Sequence, residues 1–278
     1  MRMRMEDLDA PRVRPGMIEA ALRDLEWLGL DWDGAVELQS AGLEPIRAAA
    51  SDLLERGLAY PCVCTRGELR AASAPHPGEG ELRYPGTCRR RFDSLEVAER
   101  RTGRAAGVRF RVPPGPVEIQ DGIAAALSID VEAEVGDFLI GRRDGTPAYQ
   151  LAVVVDDARQ GVTEVLRGDD LLPSTARQWH LQRALGLPHP DWFHVPLVVD
   201  ANGRRLAKRA DDLSLSELRE TGVDPRAVVS WAARSAGLEL PDRASAADVV
   251  PIFDLAELPR EQVRLDAETV SRLKAVRA

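Results

Sequence analysis

The sequence predicts an α/β fold, because patterns typical of helices alternate along the chain with patterns typical of strands. Residues 151–155 form an apolar run, and Tyr149 and Asp156 share one face with it at helical spacing, so we predict a helix that ends at Gly161. The short β-branched run at 162–166 predicts a strand directly after it. This strand ends in an arginine, a glycine and two aspartates, Arg167 to Asp170.

Two amphipathic helices are predicted near the front of the chain, and we interpret both as core helices. Pro15 suits the first turn of the first helix, and Gly29 closes it. Gly57 closes the second helix. The apolar positions that share one face are Ile18, Leu22, Leu25 and Leu28 in the first helix and Ile46, Ala49, Ala50, Leu53 and Leu54 in the second. Residues 1–5 have the pattern of the end of a strand.

The rest of the chain continues this mixture of elements. Residues 60–91 lose all periodicity while proline, glycine and cysteine increase, which predicts an insertion that does not fold around an apolar core. The remaining patterns predict strands at 108–112, 117–119, 138–141 and 193–199. They predict helices at 94–101, 174–185, 215–220, 225–236, 247–258 and 267–276.

Composition limits the classes of function. The net charge of −8 argues against indiscriminate nucleic-acid binding, although it leaves room for a local basic face. No apolar stretch approaches the roughly 20 residues that span a bilayer, so we expect a cytoplasmic protein. One arginine-rich patch fits either an RNA-contacting surface or an ordinary solvated surface, and its members are Arg83, Arg89, Arg90, Arg91, Arg100, Arg101, Arg104, Arg109 and Arg111.

The three cysteines lie close together in the sequence, as Cys62 and Cys64 followed by Cys88. So few cysteines do not make a disulfide framework, whereas three soft ligands are one short of a tetrahedral zinc site. His76 and Tyr84 both compete for the fourth position, and general zinc chemistry favours the histidine. Three unrelated buried thiols are the alternative interpretation.

Tyr149 and Arg167 indicate a site for a small acid. Tyr149 precedes the central apolar run, and Arg167 ends the strand that follows. A guanidinium group binds a carboxylate in a two-pronged geometry, and open α/β sheets bind ligands at the carboxyl ends of their strands.

Several stretches together resemble the glutamyl-type class I aminoacyl-tRNA synthetases, and the resemblance covers nearly the whole chain. The stretches are A-Y-Q-L-A-V-V-V-D-D-A-R-Q-G-V-T-E-V-L-R-G-D-D-L-L, R-M-E-D-L-D-A-P-R, C-x-C with a later Y-P-G-T-C, and R-L-A-K-R. The resemblance is strongest to the short branch of this family, the glutamyl-queuosine tRNA(Asp) synthetases. It implies a doubly wound parallel sheet in a nucleotide-binding domain at 1–205, interrupted by a zinc-binding insertion at 60–91. A lysine loop and a helical region at 206–278 would follow, without an anticodon-binding domain.

The resemblance also assigns roles to the residues that match the family motifs. Glu6 would bind the α-ammonium group of glutamate, and Tyr149 and Arg167 would supply the other glutamate contacts. The Y-x-x-x-C spacing favours Tyr84 over His76 as the fourth ligand of one structural zinc ion. From the residues alone, Glu6 fits equally well as part of a helix-capping acid cluster.

R-L-A-K-R resembles the KMSKS loop, which is K-L-S-K in much of this family. Lys208 falls on the lysine that steadies the triphosphate of ATP while pyrophosphate leaves. Arg205 replaces the first lysine of the motif and keeps its charge, whereas Ala207 replaces the serine and removes a hydroxyl. The pentapeptide by itself also fits a basic surface loop.

The implied activity is the activation of L-glutamate by ATP with Mg²⁺. Glutamate would then be transferred to the queuosine base at the wobble position of tRNA(Asp), by a monomeric enzyme. The alternatives are a truncated glutamyl-tRNA synthetase and a catalytically impaired paralogue that binds tRNA or glutamate.

The front of the sequence departs from the family, whose members begin with R-F-A-P-S-P-T-G-x-L-H-x-G. We interpret the M-R-M-R-M opening as an internal start site, with a truncated copy as the alternative. We therefore expect these 278 residues to show weak or absent glutamate-dependent exchange of pyrophosphate into ATP. We expect restoration of the upstream reading frame to rescue this exchange.

Overall fold

The computed structural model describes residues 1–9, 13–72, 83–204, 206 and 214–278. The strands are β1 (Arg4–Met5), β2 (Glu37–Leu38), β3 (Ala59–Cys62), β4 (Gly107–Phe110), β5 (Val117–Asp121), β6 (Ala125–Ile129), β7 (Phe138–Gly141), β8 (Glu164–Gly168), β9 (Asp191–Val195), β10 (Val198–Asp200) and β11 (Val263–Leu265). The helices are α1 (Met17–Trp27), α2 (Glu44–Glu55), α3 (Arg66–Ala72), α4 (Leu95–Thr102), α5 (Val131–Glu134), α6 (Tyr149–Gln160), α7 (Leu172–Leu185), α8 (Leu215–Glu220), α9 (Pro225–Ser235), α10 (Ala246–Val249) and α11 (Ala267–Ala275). This mixture confirms the predicted α/β class.

The strands are divided among four sheets. The largest has the order β6-β5-β9-β8, with β9 parallel to both β5 and β8, and with β6 antiparallel to β5. Strands β3, β4 and β7 form an antiparallel sheet, while β1–β2 and β10–β11 are two-stranded parallel sheets. Parallel pairing is therefore present as expected, but in the described residues it is spread over three sheets and mixed with antiparallel hairpins.

The unit formed by α6 and β8 matches the prediction made from residues 146–170. Helix α6 ends at Gly161, whose left-handed backbone (φ 69°) is the conformation that glycine adopts most easily. Six consecutive residues of α6, 151–156, are buried, and the helix packs against α2 and α7. Because these six residues are buried around the whole helix, α6 lies at the centre of the core, and this accounts for an apolar run without a polar face.

The two front helices differ in their burial. In α2, Ile46 and Leu53 are fully buried in the main core, as predicted. The prediction that α1 is a core helix is wrong, because none of its residues is buried. Trp27 and Leu28 instead pack at the edge of a small cluster around Leu218. Amphipathic spacing identifies the apolar face of α1, but it does not determine how much of that face a neighbour covers.

Three other predictions are corrected by the structure. The strand predicted at 193–199 is two strands, because Pro196 between β9 and β10 has no N–H to donate to a sheet. Of the helix predicted at 247–258, only α10 is an α-helix, and two 3-10 turns follow it. The insertion at 60–91 carries most of β3 and all of α3, and, contrary to the prediction, it packs an apolar cluster of its own around Tyr60, Val63 and Tyr84.

The remaining predicted elements are confirmed to within a few residues, including α4, β4, β5, β7, α7, α8, α9 and α11. Ser94 caps α4 by accepting a hydrogen bond from the Val97 N–H. None of the described helices is long and apolar enough to cross a membrane. The boundary predicted between 205 and 206 stays a prediction.

Candidate functional site

The chain folds so that Tyr149 lies within electrostatic range of both Glu6 and Arg167. Glu6 directly follows β1, Tyr149 is the first residue of α6, and Arg167 is near the end of β8. Burial raises the pKa of Tyr149, the negative charge of Glu6 raises it further, and the positive charge of Arg167 opposes both. Tyr149 thus has Glu6 and Arg167 as charged neighbours, and a pocket that all three residues share stays a prediction.

The guanidinium group of Arg167 is held on several sides. The parallel register of β8 and β9 places Arg167 opposite His194, and its Nε donates to His194 Nε2 at 3.0 Å. Its Nη1 donates to Gln178 Oε1 at 2.9 Å, and its Nη2 donates to Thr175 Oγ1 at 3.0 Å. Burial lowers the pKa of Arg167. Side chains of α7 and β9 therefore fix the orientation of a half-buried cation.

Behind Arg167 lies a fully buried pair, Asp121 and His194. Asp121 Oδ2 lies 2.5 Å from His194 Nδ1, and both side chains have no exposed surface. Asp121 Oδ1 accepts the backbone N–H groups of Ile123, Ala124 and His194, at 3.0, 2.8 and 3.2 Å. Burial raises the pKa of Asp121, but the hydrogen bonds from His194 and the backbone outweigh it, so the pKa is lowered.

Two residues beside Glu6 were not predicted from the sequence: Arg4, which contacts Glu6, and Asp157, which contacts Arg4. Arg4 donates to Asp157 Oδ1 at 2.7 Å, to Glu6 Oε1 at 3.1 Å and to Gln160 Oε1 at 2.5 Å. Burial raises the pKa of Asp157, and its contact with Arg4 opposes that change. The two aspartates that end the apolar run of α6 were the available signal, because a carboxylate next to a buried run needs a partner.

The three cysteine sulfurs form a compact cluster with the hydroxyl of Tyr84. All three Sγ atoms lie within 4.8 Å of one another, and those of Cys64 and Cys88 are 3.5 Å apart. Tyr84 Oη lies 3.5 Å from Cys62 Sγ and 3.7 Å from Cys64 Sγ, and it accepts the Cys88 N–H at 2.8 Å. The other candidate for this position, His76, lies outside the described residues.

Gly136 and Arg109 hold Tyr84 in this position. Gly136 has a φ of 71°, and a Cβ there would lie 2.5 Å from the Tyr84 carbonyl oxygen, so only glycine fits. The Arg109 guanidinium lies over the Tyr84 ring at 3.8 Å and donates to Cys62 Sγ at 3.2 Å. Burial raises the pKa of Cys62, but the charge of Arg109 and further hydrogen bonds outweigh it and lower that pKa. Burial also raises the pKa of Cys64, to about 12.

The arginine-rich patch is only partly a solvated surface. Arg109 is buried, Arg89 pairs with the buried Asp137 at 3.3 Å, and Arg104 pairs with Glu68 at 2.7 Å. These contacts give several members of the patch structural partners within the protein.

An open cavity of about 450 Å³ lies between Tyr149 and Tyr84, and neither Glu6 nor Arg167 is among its lining residues. Tyr149 lines one side and Tyr84 the other, and Arg66, Arg109 and Arg177 supply positive charge between them. Lys208, with its neighbours Arg205 and Ala207, lies outside the described residues.

Comparison with known proteins identifies relatives over most of the chain. The family model described as tRNA synthetases class I (E and Q), catalytic domain, matches residues 1–247. The glutamyl-Q tRNA(Asp) synthetase of Symbiobacterium thermophilum is 44% identical over 98% of this chain and 87% of its own length. The protein of the same name from Geobacter sulfurreducens is 50% identical over 78% of this chain and 68% of its own length.

The fold also resembles that of a solved structure. A glutamate-tRNA synthetase from Elizabethkingia anophelis superposes with a TM-score of 0.79 at 24% sequence identity, over 97% of this chain. The chain spans 62% of the length of that protein. At this identity the likeness concerns the fold alone.

Proposed function

Because the chain belongs to the class I tRNA synthetase family for E and Q, we propose that it activates L-glutamate with ATP and transfers it to the queuosine base at the wobble position of tRNA(Asp). The family is the basis for an aminoacyl-tRNA synthetase type of enzyme. The names and high coverage of the relatives support the choice of tRNA(Asp). The observation that supports the choice of glutamate is that Tyr149 lies within electrostatic range of both an acid, Glu6, and a cation, Arg167.

The charges of this cleft match those of glutamate. The α-carboxylate must face the nucleotide, because its oxygen is the nucleophile of the first step. Arg167 is therefore assigned to the side-chain carboxylate, with Tyr149 as a second donor to it. Glu6 is assigned to the α-ammonium group, and Arg4 holds the Glu6 carboxylate in place from the other side. Free glutamate and its adenylate are small enough for such a cleft, whereas the tRNA approaches from outside.

The proposed reaction has two steps. In the first, an α-carboxylate oxygen of glutamate attacks the α-phosphorus of ATP, and the bond to the β-phosphate breaks to release pyrophosphate. In the second, a hydroxyl of the queuosine base attacks the glutamyl carbonyl, loses its proton, and displaces AMP. Mg²⁺ accompanies ATP, and Lys208 is assigned to the departing phosphates. We place this reaction in the cytoplasm and assign it to a monomer.

Transfer of labelled glutamate to purified tRNA tests the proposal. The matched pair of substrates is tRNA(Asp) with queuosine and the same tRNA with unmodified guanosine, and tRNA(Glu) is the third substrate. We expect label only on the queuosine-containing tRNA.

The three candidate functions give different results in this assay. Label on tRNA(Glu) would identify a glutamyl-tRNA synthetase activity instead. Glutamate binding without glutamate-dependent exchange of pyrophosphate into ATP would identify a binding protein. Exchange that needs no tRNA, followed by queuosine-dependent transfer, would support the proposed function.

We further propose that Cys62, Cys64, Tyr84 and Cys88 hold one structural zinc ion. A tetrahedral ion with bonds of about 2.3 Å to sulfur and about 2.1 Å to oxygen needs sulfur–sulfur separations near 3.8 Å and sulfur–oxygen separations near 3.6 Å. The separations of 3.5 Å between two sulfurs, and of 3.5 and 3.7 Å from oxygen to sulfur, fit these values. Zinc would supply cross-linking of the insertion, since four protein ligands leave no open position.

Metal analysis of the purified protein tests this second proposal. We expect about one zinc per chain, and we expect chelation to make residues 60–91 accessible to protease. The test variant is Cys88→Ser, which removes a ligand. The matched control is Ser94→Ala, which changes a nearby residue outside the cluster. Unchanged protease resistance after complete removal of zinc would contradict a structural role.

A further inference from the structure

We propose that Asp121 and His194 act as a positioning pair that sets the orientation of Arg167 for glutamate, by fixing which nitrogen of His194 carries the proton. This inference rests on the proposed function, because it concerns how the same cleft binds its substrate. Neither residue lies in the stretches that carry the family resemblance or in any site predicted from the sequence.

Hydrogen bonds on both sides of the imidazole require the same tautomer. Arginine has N–H donors and no acceptor, so His194 Nε2 must present its lone pair to the Arg167 Nε–H, 3.0 Å away. On the opposite side, the ionised carboxylate of Asp121 can only accept, so His194 Nδ1 carries the proton toward Oδ2 at 2.5 Å. The two requirements are independent and agree.

The Asp121 carboxylate cannot turn to relax this arrangement. Its Oδ1 accepts three backbone N–H groups from the turn after β5 and from β9. Its Oδ2 faces the imidazole. Both oxygens are thus committed as acceptors in a position that solvent does not reach.

The pair also leaves the charge of Arg167 available for a substrate. Within the described part of the chain, the groups that accept hydrogen bonds from its guanidinium at 3.0 Å or less are neutral, namely His194 Nε2, Gln178 Oε1 and Thr175 Oγ1. A carboxylate in the place of His194 would neutralise the cation before glutamate arrives. Neutral imidazole fixes the orientation of the fork without placing a negative charge directly against it, while the carboxylates of Asp157 and Asp121 act on the cation through their charges alone.

Asp121→Asn provides a sharp test, because it keeps the shape and reverses the tautomer. The amide oxygen must stay at the position of Oδ1, where three N–H groups point. The amide NH₂ then faces His194 Nδ1 as a donor, which forces the proton onto Nε2. This proton would face the Arg167 Nε–H, a donor against a donor. Thr175 Oγ1, 3.2 Å from Nε2, could accept the proton, but the Arg167 Nε–H would lose its acceptor and the hold on the fork would weaken.

The first readout is nitrogen NMR of histidine-labelled protein, with the His194 signals assigned by their loss in His194→Leu. We expect an Nδ1–H tautomer in the wild type and an Nε2–H tautomer in Asp121→Asn. An Nε2–H tautomer or a doubly protonated ring in the wild type would overturn the proposal. This readout needs no enzymatic activity, so it separates failure of the pair from failure of the proposed function.

The second readout is the kinetics of glutamate-dependent pyrophosphate exchange. Asp121→Asn should raise the KM for glutamate roughly 10- to 100-fold and leave the KM for ATP within about twofold of the wild-type value. His194→Gln can present an amide oxygen where Nε2 stood, so it should retain more glutamate affinity than His194→Leu. His189→Leu, at an exposed histidine in the segment between α7 and β9, is the matched control and should change neither constant.

A purely structural role predicts a different pattern. In that case Asp121→Asn would lower the melting temperature while both Michaelis constants stayed at their wild-type values, which would overturn the proposal. If Asp121→Asn does not fold, the comparison of His194→Gln with His194→Leu decides, because equal KM values for glutamate in these two variants would also overturn it.

Discussion

Replacement of Arg167 by lysine tests the binding of glutamate most sharply, since it keeps the charge and removes the planar fork. In the wild type, three nitrogens of the guanidinium donate to His194, Gln178 and Thr175, which fixes the plane of the fork, and Nη2 also lies 3.4 Å from the Leu171 carbonyl oxygen. A lysine ammonium is a single nitrogen, so it cannot satisfy these acceptors and also make a two-pronged contact with a carboxylate.

The size of the effect follows from the bonds that are lost. Loss of the two-pronged, charge-assisted contact in a half-buried cleft costs about 2–3 kcal/mol. This corresponds to a fall of roughly 30- to 150-fold in kcat/KM for glutamate, because each 1.36 kcal/mol is about tenfold. We expect most of the fall in the KM for glutamate, with little change in the KM for ATP.

The assay is glutamate-dependent exchange of pyrophosphate into ATP, measured over a range of glutamate at saturating ATP. Arg56→Lys is the matched control, because Arg56 makes an exposed pair with Asp52 on α2 at 2.7 Å. Thermal unfolding of both variants checks that the fold is intact. A wild-type KM for glutamate in Arg167→Lys would refute the assignment of this arginine to the side-chain carboxylate.

Three further predictions concern stability and metal binding. Leu53→Ala removes a side chain that is fully buried in the main core, so the free energy of unfolding should fall by about 2–5 kcal/mol in denaturant titrations, whereas Leu30→Ala at an exposed position should change it little. Tyr84→Phe removes only the oxygen that lies near two sulfurs, so the zinc affinity measured by chelator competition should fall roughly 100-fold. The lowered pKa of Asp121 means that its ionised form stabilises the folded state above the ordinary aspartate range, near pH 4, and that this stabilisation is lost as the pH falls through the lowered pKa. The free energy of unfolding should therefore fall more steeply on acidification in the wild type than in Asp121→Asn.

Each of these predictions has a contrary result. Equal losses for the two leucine variants would contradict the core assignment. An unchanged zinc affinity in Tyr84→Phe, with Tyr60→Phe as the matched control, would remove the phenol from the ligand set. Parallel acid profiles of the wild type and Asp121→Asn would contradict a stabilising role for the Asp121 carboxylate.

The sequence was most informative where local pattern and tertiary environment agree. The helix and strand around Tyr149 and Arg167 were predictable, because a long apolar run and a left-handed glycine determine α6 locally. The cluster of the three cysteines was also predicted, whereas the residues alone favoured His76 over Tyr84 as their partner and only the family resemblance favoured Tyr84, which the structure places beside them.

Other features depended on contacts between distant parts of the chain. Asp121 and His194 are 73 residues apart, and only the pairing of β5, β9 and β8 brings them behind Arg167. Arg4 meets Asp157 across 153 residues, so nothing near either residue indicates the pair. The burial of α1 likewise depends on a distant element, because α1 packs against α8, which lies far along the chain.

The glutamate site itself is tested most directly by a crystal structure with a non-hydrolysable analogue of glutamyl adenylate. We expect the side-chain carboxylate of the analogue against the Arg167 guanidinium and the Tyr149 hydroxyl, with its ammonium group against Glu6. An analogue bound elsewhere, or one bound with its ammonium group away from Glu6 and its side-chain carboxylate away from Arg167, would contradict the assignment.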